Sequence, residues 1–342
     1  MTMEQTSISF DKACIFGAGA IGGWMGAALA RAGCQLSAVA RGAALQALRT
    51  QGLTLVHGGA QREHFALRAE QDPAALGVQD LVIISVKAPG MPDVAERIAP
   101  LIGPQTVVLT AMNGVPWWFL HGGVDASVRG KQLKAVDPDG RIAQAIPLGQ
   151  VLGSVVHASC SNDAPGVVRR HFGNSLILGE PLADGPGQPP TPRLAALAQL
   201  LQRGGIEAKV SDNIQRDAWY KLWGNMTVNP VSALTGATSD RILGDDLVRG
   251  LITRVMLEAK EIGARIGLPI NESPEDRHAV TLKLGAFKTS MLQDVEAGKP
   301  VELDALVGAV REMGQLCGVD TPFTDALLGL ARLQARQKGL MA

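Results

Sequence analysis

Apolar residues follow two different rhythms along this chain, and the change from one to the other divides it. In the first half, short β-branched runs alternate with helical spacing: Lys12 to Phe16, Gln35 to Ala40, Leu81 to Val86 and Thr106 to Ala111 read as strands, and Ala20 to Ala32 as a helix. Runs that stay apolar on both faces belong to a parallel sheet covered by helices. A hairpin is expected around Gly58-Gly59. Between Trp117 and Gln150 the pattern turns irregular, with Gly122-Gly123, Gly130 and Pro138-Asp139-Gly140, and reads as an inserted excursion that could lie over a ligand. Strand-like runs resume at Val151 to Ser159, Val167 to Phe172 and Leu176 to Leu178, and the Pro- and Gly-dense stretch from Pro181 to Pro192 reads as a surface loop or linker.

From Asp212 onward the strand rhythm nearly vanishes. Helical spacing dominates at Ile214 to Asn229, Asp245 to Ile266, Pro274 to Val295 and Val301 to Cys317. The expectation is a doubly wound α/β domain over residues 1–210, with an insertion at about 117–150, and an all-α domain over 211–342. A cleft between them, closing on a ligand, is the natural place for a site.

Composition narrows the partners. The chain has 342 residues, and its 32 basic and 32 acidic side chains cancel, so no global field draws nucleic acid or an anionic membrane. An anionic ligand must be held by local groups. The four cysteines are scattered without a Cys-x-x-Cys pair, and no basic and apolar leader is apparent, a pattern that suits a reducing cytoplasm. The histidines lack metal-ligand spacing, so no metal is expected. No apolar run approaches the length of a bilayer span. The apolar helices of the second half offer a face on which a homodimer could close.

Local chemistry begins at Gly17-Ala18-Gly19-Ala20-Ile21-Gly22, which places Gly17, Gly19 and Gly22 in the Gly-x-Gly-x-x-Gly pattern after a strand and at the start of a helix. The first glycine permits the tight turn, the second lets backbone approach a pyrophosphate, and the third permits close helix-to-strand packing. The first domain is therefore expected to be Rossmann-like and to bind a dinucleotide. Its second strand leads not into the usual acidic residue but into Arg41, whose planar fork of donors matches a 2′-phosphate and favours NADPH over NADH. Capping of the next helix is the competing role for that arginine. Lys87 and Asn113 each follow an apolar strand and should border the nicotinamide half, although Asn113-Gly114 is also a common turn pair.

In the second half, Lys221, Asn225 and Asn229 are four apart, and on a helix they span an arc of about 80°. Trp219, Trp223 and Met226 fall on roughly the opposite side, so the helix can pack there and present Lys221 to a cleft. Standing alone, such a stripe could equally be a solvated face.

It does not stand alone. The Gly17–Gly22 loop, Val86-Lys87, Asn113-Gly114, Lys221-Leu-x-x-Asn225-x-x-x-Asn229-Pro230, Ser290-Met-Leu-Gln-Asp294 and Glu302-Leu-Asp304 together resemble the ketopantoate reductase (2-dehydropantoate 2-reductase) family over nearly the whole chain. The resemblance implies an NADPH-dependent reductase of a small 2-oxo acid. Lys221 would be the general acid for the ketone oxygen, and Glu302 would assist it while lying near the cofactor ribose. Asn225, Asn229 and Ser290 would hold the substrate, and Asn113 would touch substrate and cofactor. Enclosure and a neighbouring carboxylate pull a lysine's pKa in opposite directions. On the residues alone, Glu302 could be a helix-dipole partner after Pro300 and Ser290 a surface hydroxyl.

Several positions depart from the family pattern: Met112 where glutamine is common, Val-Ser-Ala-Leu after Pro230, and Ser239 where some members carry a substrate-binding asparagine. Trp117-Trp118-Phe119, beside the expected nicotinamide site, could reshape the pocket. These changes open an alternative, a paralogue acting on another branched or aromatic 2-oxo acid. A third class, a nucleotide-sensing protein without turnover, is opposed by the joint presence of Lys221 and Glu302.

Overall fold

The computed structural model describes residues 8–58, 61–183 and 189–341. Two compact units emerge, one from residues 1–112 and 141–214, the other from 113–140 and 215–342.

The first unit is built on a ten-stranded sheet of the described residues: β1 (Lys12–Phe16), β2 (Gln35–Val39), β3 (Leu53–Val56), β4 (Arg62–Phe65), β5 (Arg68–Glu70), β6 (Leu81–Ile84), β7 (Val107–Thr110), β8 (Val151–Ala164), β9 (Val167–Gly179) and β10 (Glu207–Val210). Their order is β4-β3-β9-β8-β7-β6-β1-β2-β5, with β10 also on β9. Neighbours from β5 through β8 are all parallel, with Ala13 in register with Leu36 on one side and Leu81 on the other. The fold is Rossmann-like, as the sequence predicts. β6 and β7 are buried at every position, which is why they read as continuous apolar runs. The expected hairpin is present as the antiparallel β3–β4 pair, although Gly59 lies outside the described residues. The runs expected at 151–178 are two long antiparallel strands joined at Gly166, whose φ of +74° suits a tight turn.

Helices α1 (Ala20–Arg31), α2 (Gly42–Gln51), α3 (Met91–Arg97), α4 (Arg141–Ala145) and α5 (Pro192–Arg203) complete this unit. Leu29, Met25, Leu197 and Leu201 close over Ile15, Leu81, Leu109 and Leu152 to form its core. Part of the linker expected between Pro181 and Pro192 also lies outside the described residues, and the structure begins α5 at Pro192 itself.

The second unit is helical: α6 (Ile214–Thr235), α7 (Ser239–Gly244), α8 (Asp246–Arg265), α9 (Pro274–Leu282), α10 (Ser290–Glu296), α11 (Ala309–Cys317) and α12 (Pro322–Gln337). Of the excursion expected at about 117–150 in the first domain, residues 117–140 cluster here together with 113–116, while 141–150 stay with the first unit. Phe119, Leu120, Val124, Val128 and Leu133 share one core with Trp219, Trp223 and Met256, and that burial decides where the segment belongs. α6 continues through Pro230 to Thr235 rather than stopping at Asn229, because Val231 and Ala233 carry its buried face onward. The single helix expected over 274–295 is two. Gly285 takes φ +63° between them, and Ser239 pins the break by donating from its amide to Phe287 O and from its hydroxyl to Gly285 O.

Candidate active site

The expected site residues divide between the units: Gly17 to Gly22, Arg41 and Lys87 in the first, Asn113, Lys221, Asn225, Asn229, Ser290 and Glu302 in the second.

In the first unit the three glycines do three separate jobs. Gly17 leaves β1 at φ +96°, and its N–H donates to Val39 O at the end of β2. A Cβ here would sit 2.6 Å from Val86 Cγ1, so the loop after β6 is drawn against the glycine turn. Gly22 packs the first turn of α1 onto the sheet: a Cβ would collide with Ser85 Oγ and lie 2.8 Å from Ile15 Cγ2. Gly19 is the opposite case. Its φ is −79° and a Cβ would meet nothing within 4 Å, so the space above it is open to a ligand. Ala20 and Ile21 follow at the helix N-terminus, where no side chain caps the free N–H groups. Bare backbone, open space and a helix N-terminus together fit the pyrophosphate of a dinucleotide. Ser85, which lies outside the glycine motif, locks the turn by donating to Gly17 O at 2.7 Å.

Arg41 precedes α2 as its N-cap residue and is largely exposed, with Nη1 3.7 Å from Asp93 Oδ1. Asp93 is held more closely by Arg97, at 3.0 and 3.3 Å. Lys87 is exposed at the start of a short 3-10 turn, Ala88–Gly90, beyond β6. Both cations therefore stand at carboxyl ends of parallel strands, where doubly wound sheets bind ligands.

In the second unit, α6 is fixed on its apolar side. Trp223 Nε1 donates to Met256 O at 2.8 Å, the Phe119 ring packs tilted against Trp219 with centroids 6.1 Å apart, and Gly263 of α8 is small enough to admit the Trp219 indole. The other side carries the polar stripe. Lys221 Nζ donates to Asn113 Oδ1 at 2.8 Å, uniting residues 108 apart in sequence. Burial pulls the Lys221 pKa down to about 8, opposed by the charge of Glu302. Glu302 is itself buried, just before a single π turn at Asp304–Gly308. Asn225 and Asn229 continue the stripe, and neither amide makes a hydrogen bond among the described residues although Asn229 is 7% exposed. Buried amides seldom go without partners, so their donors and acceptors are open to a ligand. Ser290 is exposed as the first residue of α10, after the capping Thr289, and no hydrogen bond ties it to Lys221, Asn113 or Glu302.

Trp117, Trp118 and Phe119 are all buried, and Phe119 shares the core that holds Trp219 and Trp223 of α6. Ser239 is committed to the loop after α9. What the arrangement can do is hold a proton on a lysine of lowered pKa, beside a carboxylate and among unpaired amides, in a chain that also carries a dinucleotide loop.

Comparison with known proteins agrees. Residues 13–121 match the family profile described as "Ketopantoate reductase PanE/ApbA", and residues 213–335 match "Ketopantoate reductase PanE/ApbA C terminal". A 2-dehydropantoate 2-reductase of Mesorhizobium japonicum is 44% identical over 96% of this chain and 99% of its own. Among solved structures, a protein provisionally named ketopantoate reductase from Ralstonia solanacearum MolK2 superposes with a TM-score of 0.90 at 56% identity, covering 97% of this chain and 100% of its own. A PanE/ApbA family ketopantoate reductase from Ralstonia eutropha JMP134 gives a TM-score of 0.80 at 26% identity, over 96% of this chain and 99% of that one.

Proposed function

Because this chain belongs to the ketopantoate reductase family, whose members are nicotinamide-dinucleotide-dependent reductases, we propose that it reduces 2-dehydropantoate to (R)-pantoate with NADPH, Lys221 protonating the ketone oxygen. The observation that carries this reading is the Lys221 ammonium itself, held on the Asn113 amide with its pKa lowered to about 8.

When bound, the nicotinamide cofactor would supply the hydride for C2 of the substrate. As C2 accepts it, the C=O π electrons move onto oxygen, and negative charge builds there. Lys221, as an ammonium, would stabilise that charge and then transfer one proton, leaving itself a neutral amine that solvent reprotonates. A pKa of about 8 leaves about nine lysines in ten protonated at pH 7, while making the proton easier to give than that of an ordinary lysine. Glu302 keeps the charged form from being lost to burial altogether. The unpaired amides of Asn225 and Asn229 would hold the substrate's carboxylate and hydroxyl groups, with Ser290 and Asn113 completing the set. On the cofactor side, Gly17 to Gly22 would receive the pyrophosphate, Arg41 the 2′-phosphate, and Lys87, Asn113 and Glu302 the nicotinamide half. Four cysteines, none in a disulfide, suit a cytoplasmic enzyme.

The test is NADPH oxidation with 2-dehydropantoate and a panel of other 2-oxo acids, for wild type and Lys221→Ala. Turnover of 2-dehydropantoate at a kcat/KM of at least about 10⁴ M⁻¹s⁻¹, collapsing in the variant, is expected. Preference for another oxo acid would move the substrate assignment, and full activity of Lys221→Ala would overturn the proton donor.

A further inference from the structure

Asn113, Lys221 and Glu302 come from three distant stretches of chain, so their spacing must be set by a tertiary contact. One is in place on either side of the cluster. Asn113 is followed by Gly114 at φ +82°, a region that side chains other than glycine rarely enter. A Cβ built on Gly114 would lie 2.8 Å from Ala305 Cβ, 2.8 Å from Ala305 O and 2.9 Å from its carbonyl carbon. Backbone atoms cannot swing aside as a flexible side chain can. The next residue strengthens the contact, since Val115 N–H donates to the same Ala305 O at 2.8 Å.

Ala305 belongs to the π turn that begins two residues after Glu302, and the carbonyl of Glu302 accepts the Leu306 N–H at 3.0 Å. π turns are rare and cost regular helix bonding, and they occur often at functional sites. The backbone at 114–115 is thus seated on residue 305. Asn113 leaves that seat on one strand of chain and Glu302 on the other.

We infer that Gly114 and Ala305 are positioning residues, a bare-backbone contact that fixes the distance between the Asn113 amide and the Glu302 carboxylate across which the Lys221 ammonium is held. The inference rests on the reading of Lys221 as proton donor. From the sequence, Gly114 itself reads only as the second member of a turn pair; the contact gives the glycine a second duty, since the left-handed φ could be met at some cost by asparagine, but the missing Cβ could not.

The test measures kcat, KM and the pH dependence of kcat for Gly114→Ala and Ala305→Val. These crowd one contact from its two sides, and only the first strains φ. Gly318→Ala is the control, because Gly318 also has positive φ in this unit, at +71°, yet faces open space. A displaced Asn113 withdraws an acceptor that favours the charged lysine, so the alkaline limb of kcat should move to lower pH. The expected result is a kcat loss of at least about tenfold in both contact variants, in line with the cost of sub-ångström misplacement, with that limb shifted by about half a pH unit or more. Gly318→Ala should lower the melting temperature and leave the limb in place. If Gly114→Ala does not fold, Ala305→Val decides alone. Folded contact variants with kcat within about twofold of wild type and an unmoved limb would overturn the positioning role, whereas an active Lys221→Ala would overturn the reading beneath it.

Discussion

Adding one methyl group at Gly19 should separate cofactor binding from folding. At φ −79° the backbone there is open to alanine, and the new Cβ meets nothing within 4 Å, so the unliganded protein has little to lose. The cost should be that of replacing an N-cap glycine by alanine, at most about 1 kcal/mol, or a fall of no more than about 4 °C in melting temperature for a unit of this size. The same methyl would project into the space where a pyrophosphate must approach the backbone. A hundredfold weaker NADPH affinity corresponds to about 2.7 kcal/mol, and a ligand present at a hundred times its Kd stabilises its host by about the same amount. Thermal melts with and without NADPH, beside a fluorescence titration of the nucleotide, should therefore show a wild-type stabilisation of several degrees that vanishes in Gly19→Ala. Gly22→Ala is the companion. Its Cβ collides with Ser85 and Ile15, so it should lose about 1–3 kcal/mol of stability even without nucleotide. Gly19→Ala binding NADPH within about threefold of wild type would refute the placement of the phosphates.

Two further outcomes follow from the charges. With a Lys221 pKa of about 8 and the protonated form required, kcat should be flat below about pH 7 and fall about tenfold per unit well above 8. Glu302→Gln removes the charge that raises that pKa, so its limb should move to lower pH, and movement upward would contradict the electrostatics. Arg41→Ala should raise KM for NADPH by about tenfold and leave NADH nearly unchanged, since one charge-assisted pair at an exposed site is at stake. Equal effects on both cofactors in steady-state kinetics would remove Arg41 from the 2′-phosphate.

Much of this was readable because single residues carried more than one signal. Lys12–Phe16 is bounded as a strand by its own apolar run, and Gly17 and Gly22 meet the steric demand that their spacing announces. Lys221 and Asn225 are neighbours by helical geometry alone, so their stripe was visible. Asn113 on Lys221 was not, because that contact is made across 108 residues and only the family resemblance brought the two together. α2, α5 and α12 were not expected, although Pro192 and Pro322 stand at helix starts and the buried faces of α5 (Leu194, Leu197, Leu201) and α12 (Leu327, Leu328, Ala331) repeat at helical spacing. The break at Gly285 depends on hydrogen bonds from Ser239, 46 residues earlier, which no local pattern records. Ser85 and Ala305 also escaped notice, for their work is done by small size and a backbone carbonyl rather than by chemistry that a motif displays.

The helical unit is assembled from two lengths of chain, 113–140 and 215–342, and this has a consequence for how the protein is made. Phe119, Leu120, Val124, Val128 and Leu133 emerge from the ribosome well before α6 and α8, with residues 141–214 still to come. At about 5–20 residues per second, translation leaves that apolar stretch waiting roughly 4–15 s before α6 even begins. A gene cut at residue 214 would make the delay permanent, depriving the C-terminal fragment of Phe119 and of Asn113 alike. Chimeras between relatives should therefore exchange 113–140 together with the C-terminal helices: the boundary of inheritance runs twice through the chain before it reaches α6.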